Sequence, residues 1–520
     1  MINILLTQES GYKWFHKEGI SVKGYIISQQ GESLREELLV EYFSKINSFE
    51  QFQAALKNAN GLFSVIIKKD TTIWTAVDII RSFPLFYYHH DRTLFISDHP
   101  DNFTQEIPFS LDEESAILFK YSGYVPGKKT LWKDVFQIQA GECIEGKEDS
   151  VECLFYFNYL TNHFPEKSFE EWKAHLRNVL DNVGTRLIKT LNNRPVILPL
   201  TGGLDSRLIA YWLKKHQYHN VHCITYGKKD TPERANAECV AKQLGFNWQF
   251  IEHADYYREP FLTTEHFARY NNYFTKYVSI PFMQEYFPTI FIKENAQLAK
   301  SAVFIPGHSG DSIAGSHLRE YMNKKMFSPS EYIVSRHFNF HCPKRKELRV
   351  IRKYIREQHK PVESFSSFLQ FENWILKERQ AKYIANSSHN WDFCGNEFLL
   401  PLWDFELVDF FRSVPFEYKL EKMLYREVLS ELFDEYSIHF KDSDTTLSKS
   451  FTRKVELRKT LKQIFPSLNR FNNIWLADNS NLRIVYQEFL DDMGGVASIK
   501  DFSNRGGIPA MWYLEWLRKK

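Results

Sequence analysis

Short apolar runs separated by polar breaks dominate the first 160 residues. GLFSVIIKKD at 61–70, TTIWTAVDII at 71–80, FPLFYYHH at 83–90 and RTLFISD at 92–98 are rich in β-branched and aromatic residues. QIQAGECIEG at 137–146 and VECLFYFNYL at 151–160 continue the pattern. Runs of this length and composition predict strands. The polar breaks at Lys68-Lys69-Asp70 and His89-His90-Asp91-Arg92 predict hairpin tips. The whole stretch reads as a β-rich domain with few helices between its strands.

The period then changes. Ser168 followed by Glu171 predicts a capping box. Phe169, Trp172, Leu176, Leu180, Val183 and Leu187 follow at helical spacing. Val196-Ile-Leu-Pro-Leu200 predicts a buried strand, and Leu208, Ile209, Trp212 and Leu213 mark a helix face after it. Val221–Tyr226 predicts a second strand and Trp248–Ile251 a third. Between them, Thr231-Pro232 supplies a cap and a first-turn proline, and Gly245 a stop. Strand, helix, strand, helix, strand predicts a parallel α/β unit. From about residue 255 onward the chain reads as mostly helical. These breaks place one domain over 1–160 and a second over 165–520.

Composition narrows the function classes. The chain has 520 residues, 66 Lys+Arg against 64 Asp+Glu, and a net charge of +2. Near neutrality argues against a nucleic-acid coat or an acidic-membrane binder. No stretch reaches the roughly 18 apolar residues of a membrane span, and the N-terminus lacks a secretory pattern. The expected compartment is the cytoplasm. Six scattered cysteines form no C-x-x-C pair and predict reduced, buried thiols. The basic stretch Lys344–Arg356 predicts an amphipathic helix with a solvated face.

The segment that carries chemistry is Leu200-Thr201-Gly202-Gly203-Leu204-Asp205-Ser206, between the first parallel strand and its helix. Adjacent glycines let backbone N–H groups face an anion, and the helix N-terminus adds its dipole. Thr201 and Ser206 add hydroxyls. Asp205 suits phosphate only with a cation between them, so it is a candidate Mg²⁺ ligand. A plain strand–turn–helix with a capping Asp or Ser is the alternative. The segment lacks the lysine of the G-x-x-x-x-G-K-[ST] loop.

This loop resembles the S-G-G-x-D-S pyrophosphate-binding loop (PP-loop) of N-type ATP pyrophosphatases, with Thr201 for the first Ser. Within that superfamily the chain resembles the asparagine synthetase family along most of its length. Gly61–Ser64, Pro84–Tyr88, Leu94–Ser97 and Val135–Gly141 are similar to its N-terminal domain. The resemblance implies a class II glutamine amidotransferase-like αββα domain followed by a parallel-sheet synthetase domain with a largely helical C-terminal part. Ile224-Thr225-Tyr226-Gly227 is similar to the strand end that contacts adenine and ribose. Pro306-Gly307-His308-Ser309-Gly310-Asp311-Ser312-Ile-Ala-Gly315 falls where the family carries S-G-E-G-x-D-E-x-x-G-G. Asp311 then matches the second Mg²⁺-binding aspartate. Lys441 lies roughly where a late lysine neutralises charge on the α-phosphate.

Three departures bear on chemistry. Ile2 stands where the amidotransferase places its cysteine nucleophile, so no glutaminase activity is expected. His308-Ser309 replaces Glu-Gly, and Ser312 replaces Glu. His308 becomes the candidate proton carrier. The motif around it is similar to asparagine-synthetase-like proteins associated with bacterial surface-polysaccharide synthesis, which implies a uronic acid carboxylate. The resemblance as a whole implies an ATP- and Mg²⁺-dependent, AMP-forming amide ligase acting on a small carboxylate and an amine or ammonia. It implies no nucleic-acid partner and allows a homodimer. Intramolecular amide closure of the β-lactam or lasso-peptide kind, a degenerate scaffold, and a tRNA-modifying pyrophosphatase are the competing readings.

Overall fold

A computed structural model of the chain describes residues 1–7, 11–257, 260–359, 362–438 and 482–520. The chain is α/β. Two facing sheets form its N-terminal part. One has four strands in the order β1 (Ile2–Leu5), β8 (Thr93–Ser97), β7 (Phe86–His90), β9 (Val135–Gln137). The other runs β11 (Val151–Phe155), β10 (Glu142–Gly146), β6 (Thr72–Val77), β5 (Asn60–Lys69), β3 (Ile20–Ile27), β2 (Phe15–Lys17), with β4 (Ser33–Arg35) also on β3.

Period-two alternation sorts each strand's side chains between two cores. Tyr87, Leu94 and Ile96 of one sheet, with Leu85 just before β7, meet Ile66, Ile73, Val77 and Ile144 of the other. Phe86, Tyr88 and Phe95 point the opposite way, onto Ala116 and Phe119 of α3 (Glu113–Ser122). On the far side of the seven-stranded sheet, α1 (Glu36–Ser44) and α2 (Phe49–Lys57) bury Leu39, Val40, Phe43, Phe52 and Leu56 with Leu62, Phe63, Val65, Trp74 and Ala76. The result is four layers, helix–sheet–sheet–helix, as the resemblance implied.

Both expected hairpins form. Lys69 pairs with Thr72, and His90 with Thr93. The strands are shorter than the apolar runs. β6 stops at Val77 and β7 starts at Phe86, because Asp78 turns the chain by accepting from the N–H groups of Phe63, Ile80 and Ser82. The first four strands and α1–α2 precede the runs that the sequence marked.

The second part begins with α4 (Phe169–Leu191), capped by the Ser168–Glu171 box. Its sheet is parallel throughout, in the order β14 (Asn247–Glu252), β13 (Val221–Gly227), β12 (Val196–Pro199), β15 (Val303–Phe304), β16 (Glu397–Phe398). After β12 the chain moves to one side, through α5 (Leu204–Lys215), β13, α6 (Pro232–Leu244) and β14, then returns to β15 on the other. Thr231 caps α6 and Gly245 ends it in a left-handed turn. The order therefore reverses between β12 and β15. In open α/β sheets the crevice at the carboxyl ends of such a strand pair is where ligands bind.

The parts interlock. Gly11 and Tyr12 donate backbone N–H groups to Asp392, and Asn60 and Arg186 both donate to Asp404. Gly127 donates to Glu378. The last helix, Gly507–Lys519, buries Ile508, Tyr513 and Leu514 in the same apolar cluster as Phe119 of α3. Among the described residues, no helix is long and apolar enough to cross a membrane.

Candidate active site

Two loops leave the reversal point side by side. The first follows β12. Leu200 prolongs the strand by donating to Ile224 O at 2.8 Å. Thr201 and Ser206 then fasten the loop across itself. Their hydroxyls lie 3.0 Å apart, and Thr201 N donates to Ser206 Oγ at 3.1 Å. Gly203 N donates to Thr201 Oγ1 at 3.1 Å. Gly203 is the N-cap of α5, and no side chain caps that helix. An uncapped first turn leaves N–H groups for an incoming anion.

The second loop follows β15 and presses directly on the first. A Cβ on Gly307 would sit 2.7 Å from Ser206 N, and one on Gly310 would sit 2.8 Å from Asp205 Oδ1. Only glycine allows both approaches. Ser309 between them has φ +75°, the left-handed region, and its hydroxyl donates to Gln380 Oε1 at 2.6 Å. Gln380 in turn donates to Ser312 Oγ at 2.8 Å. One glutamine thus ties down both ends of the Ser309–Ser312 turn.

Asp205 and Asp311 meet where the loops touch. Asp311 N donates to Asp205 Oδ2 at 3.0 Å, and Tyr425 Oη donates to Asp205 Oδ1 at 3.1 Å. Burial and then the charge of Asp311 push the Asp205 carboxyl up to about 7. Two carboxylates held together against their mutual repulsion form a cation-seeking arrangement. Hard oxygen donors fit Mg²⁺, which takes one or two protein carboxylates and completes its shell with water and phosphate oxygens. Among the described residues no third acidic, histidine or cysteine ligand joins them. Asp205 and Asp311 would hold the ion, which would supply charge neutralisation at a phosphate group.

A second buried cluster adjoins the loops, and its key residue gave no sequence signal. Glu285, in the helix Met283–Glu294, accepts from Tyr226 Oη at 2.9 Å and from Asn390 Nδ2. His308 Nε2 lies 4.0 Å from Glu285 Oε1 and 3.0 Å from Ser387 Oγ. Burial holds His308 down at about 4 and raises Glu285 to about 7. Near neutral pH the imidazole is therefore uncharged; burial opposes its protonation, and the Glu285 carboxyl beside it is the group that would offset a charge formed there.

The remaining residues singled out by sequence sit at the end of β13. Thr225 Oγ1 donates to Leu200 O at 2.8 Å and accepts from Trp248 Nε1 at 2.9 Å, so its hydroxyl ties strands together. Tyr226 turns its hydroxyl into the Glu285 cluster, and Gly227 ends the strand at φ +140°. Lys441 lies outside the described residues.

The family model described as asparagine synthase matches residues 181–441, half of the chain and all of this geometry. The chain belongs to the asparagine synthase family. Membership implies ATP use and amide-bond ligation, without naming a substrate. No curated protein matches the chain in sequence. Solved structures similar to parts of it include a glutamine phosphoribosylpyrophosphate amidotransferase from B. subtilis complexed with ADP and GMP. That match has 12% identity, TM-score 0.18, 45% of this chain and 47% of that one. The chain thus spans about half the length of that structure. An NH3-dependent NAD synthetase from Campylobacter jejuni in complex with nitrate matches at 13% identity and TM-score 0.18, covering 36% of this chain and 74% of that one. The allosteric regulatory enzyme of purine biosynthesis matches at 11% identity and TM-score 0.19, covering 46% and 61%.

Glu285 makes a pH prediction for this asparagine synthase family member. A carboxyl raised from 4.5 to about 7 contributes its full stability below 4.5. That contribution is lost as pH rises through 7. Glu285→Gln is therefore expected to remove roughly 2 kcal/mol of the stability lost between pH 5 and 8. Denaturant unfolding of both proteins across that window measures it, and parallel pH profiles would refute it.

Proposed function

We propose that the chain is an AMP-forming amide ligase that adenylates a small-molecule carboxylate at the expense of ATP and passes the acyl group to ammonia or another amine. The carboxylate oxygen bonds to the α-phosphorus, and the bond to the bridging oxygen of pyrophosphate breaks. The amine nitrogen then attacks the acyl carbon, AMP leaves, and a proton is lost from nitrogen. The observation that carries this reading is the contact between two loops at the sheet's reversal point, which brings Asp205 and Asp311 together 106 positions apart in the chain.

In this reading the loop Leu200–Ser206 and the uncapped start of α5 receive the departing pyrophosphate. Thr225, Tyr226, Gly227 and Gly307 line the nucleotide side. Asp205 and Asp311 hold Mg²⁺, and Lys441 adds positive charge at the α-phosphate. His308 takes the proton from the attacking amine, in the position where the family resemblance places a glutamate, and Glu285 positions it. Residues 1–160 form an amidotransferase-like domain without glutaminase activity, since β1 has the sequence Ile-Asn-Ile-Leu and offers no thiol or hydroxyl nucleophile. Residues 165–520 form the synthetase domain. The proposed carboxylate is a uronic acid of surface-polysaccharide synthesis.

The test is ATP–pyrophosphate exchange across uronic acids, amino acids and small peptides, followed by product analysis. Carboxylate-dependent exchange with release of AMP is the expected result. Release of ADP and phosphate with an accepted substrate would reject the mechanism.

A further inference from the structure

Beside the catalytic loops lies a cavity of about 210 Å³ whose described lining includes Arg319, Arg336, Arg379, His317, His337 and Asn339. Taking about 30 Å³ per water, it has room for roughly seven waters. Three arginines line it, and no carboxylate is among the described lining residues. None of the three arginines forms an ion pair with a described residue. Arg319 donates only to the carbonyls of Ser316 and Leu318, and Arg379 lies over the ring of Tyr383. Several arginines elsewhere in the chain are paired. Arg35 and Arg194 share Glu397, Arg186 takes Asp404 and Glu406, and Arg352 and Arg356 share Glu331. Arg319 and Arg336 are exposed and Arg379 half-buried, and together they give this concavity a net positive charge with no carboxylate in its described lining.

The cavity is joined to the active site by its own residues. His317 lines it and follows the Ser309–Gly315 turn by two positions. Asp311 is close enough to act on His317 electrostatically. Arg379 immediately precedes Gln380, the residue that holds Ser309 and Ser312. Both lie in a π-helical segment, Leu376–Ile384. Such segments are frequent at functional sites.

The charge of the cavity comes from arginine alone. Burial lowers both His317, to about 4, and His337; Arg379 and Arg336 lower both further, and Arg319 lowers His317. They remain neutral and supply hydrogen bonds without adding charge. A single carboxylate would leave two of three positive charges uncompensated. A phosphate monoester or a diphosphate carries two or more negative charges and presents oxygens to several guanidinium forks at once.

We propose that this cavity holds a phosphate group of the ligase substrate, so that the molecule amidated or its amine partner is a phosphorylated compound anchored by Arg319, Arg336 and Arg379. This rests on the ligase reading only for the word substrate. The anion site itself stands on the cavity.

Calorimetry on the full chain tests the two separately. With Mg²⁺ and α,β-methylene-ATP saturating the nucleotide loop, inorganic phosphate, glucose 1-phosphate and acetate are titrated at constant ionic strength. Phosphate and glucose 1-phosphate are expected to bind, acetate at least about tenfold more weakly, and Arg336→Ala and Arg379→Ala are each expected to weaken both phosphates about tenfold. Arg336 is exposed, so its variant keeps the fold, and unaltered binding of the ATP analogue confirms that. Equal binding of acetate and phosphate, or phosphate binding untouched in both variants, would overturn the site. Binding of inorganic phosphate without glucose 1-phosphate would overturn its role in holding a substrate. Failure of the parent to bind the ATP analogue would instead count against the ligase reading and leave the anion site standing.

Discussion

Asparagine at position 205 is expected to lower ATP–pyrophosphate exchange by about 10³-fold, whereas glutamine at position 308 leaves exchange within about twofold and lowers amide formation by about 10²–10⁴-fold. The two variants separate the half-reactions because exchange needs only the first. Asp205→Asn keeps an acceptor for Tyr425 Oη and gives up the bond from Asp311 N. It also removes a buried carboxylate from beside Asp311. Loss of one backbone hydrogen bond costs about 1 kcal/mol, and the relieved burial and repulsion offset it. The variant should therefore stay folded, and its lost exchange would report charge stabilisation rather than unfolding. His308→Gln leaves both loops and both aspartates in place. It removes the imidazole, uncharged near neutral pH, that the ligase reading makes the proton acceptor. Exchange in Asp205→Asn within tenfold of the parent would refute the metal assignment. Exchange lost equally in His308→Gln would move that residue to the nucleotide half of the site.

What the sequence made legible was local. The Ser168–Glu171 box, the Thr231-Pro232 start and the Gly245 stop are short-range signals, and each bounds its helix as expected. The loop Leu200–Ser206 stood out because two glycines and an aspartate lie between a buried strand and a helix, an arrangement that a plain strand–turn–helix also permits. Asp311 was readable through family resemblance. Glu285 was not. It sits in an aromatic-rich helix with Pro288 inside it, and its partners are 59 and 105 positions away along the chain. No spacing rule spans such distances. The arginine cavity was hidden for the same reason. Its cations come from the segments around 319, 336 and 379, and only the 344–356 stretch looked basic in sequence. That stretch is a surface helix, Arg345–Gln358, which buries Ile351, Tyr354 and Ile355, and the described lining of the cavity includes none of its residues.

Methionine at position 419 is expected to destabilise the fold by about 3–5 kcal/mol, and leucine added at position 372 to recover most of that loss. Lys419 is fully buried. Its ammonium donates to Glu372 at 2.7 Å and to Tyr159 Oη at 3.2 Å. Burial lowers the lysine and raises the glutamate, so each ion is tolerated only because of the other. Removing one leaves an uncompensated charge in a buried site. Removing both exchanges an ion pair for apolar contact, which is often neutral or stabilising. The pair also bears on the site. Gly315, at φ +101°, closes the catalytic turn, and a Cβ there would sit 2.4 Å from Lys419 O. The carbonyl of Lys419 is thus the surface on which the turn's end rests. Denaturant unfolding of the single and double variants gives the coupling. A single variant within 1 kcal/mol of the parent would mean that Glu372 is protonated and the pair carries no ionic interaction. If the double variant regains stability and also regains exchange, the pair serves the site only by holding Gly315 in place.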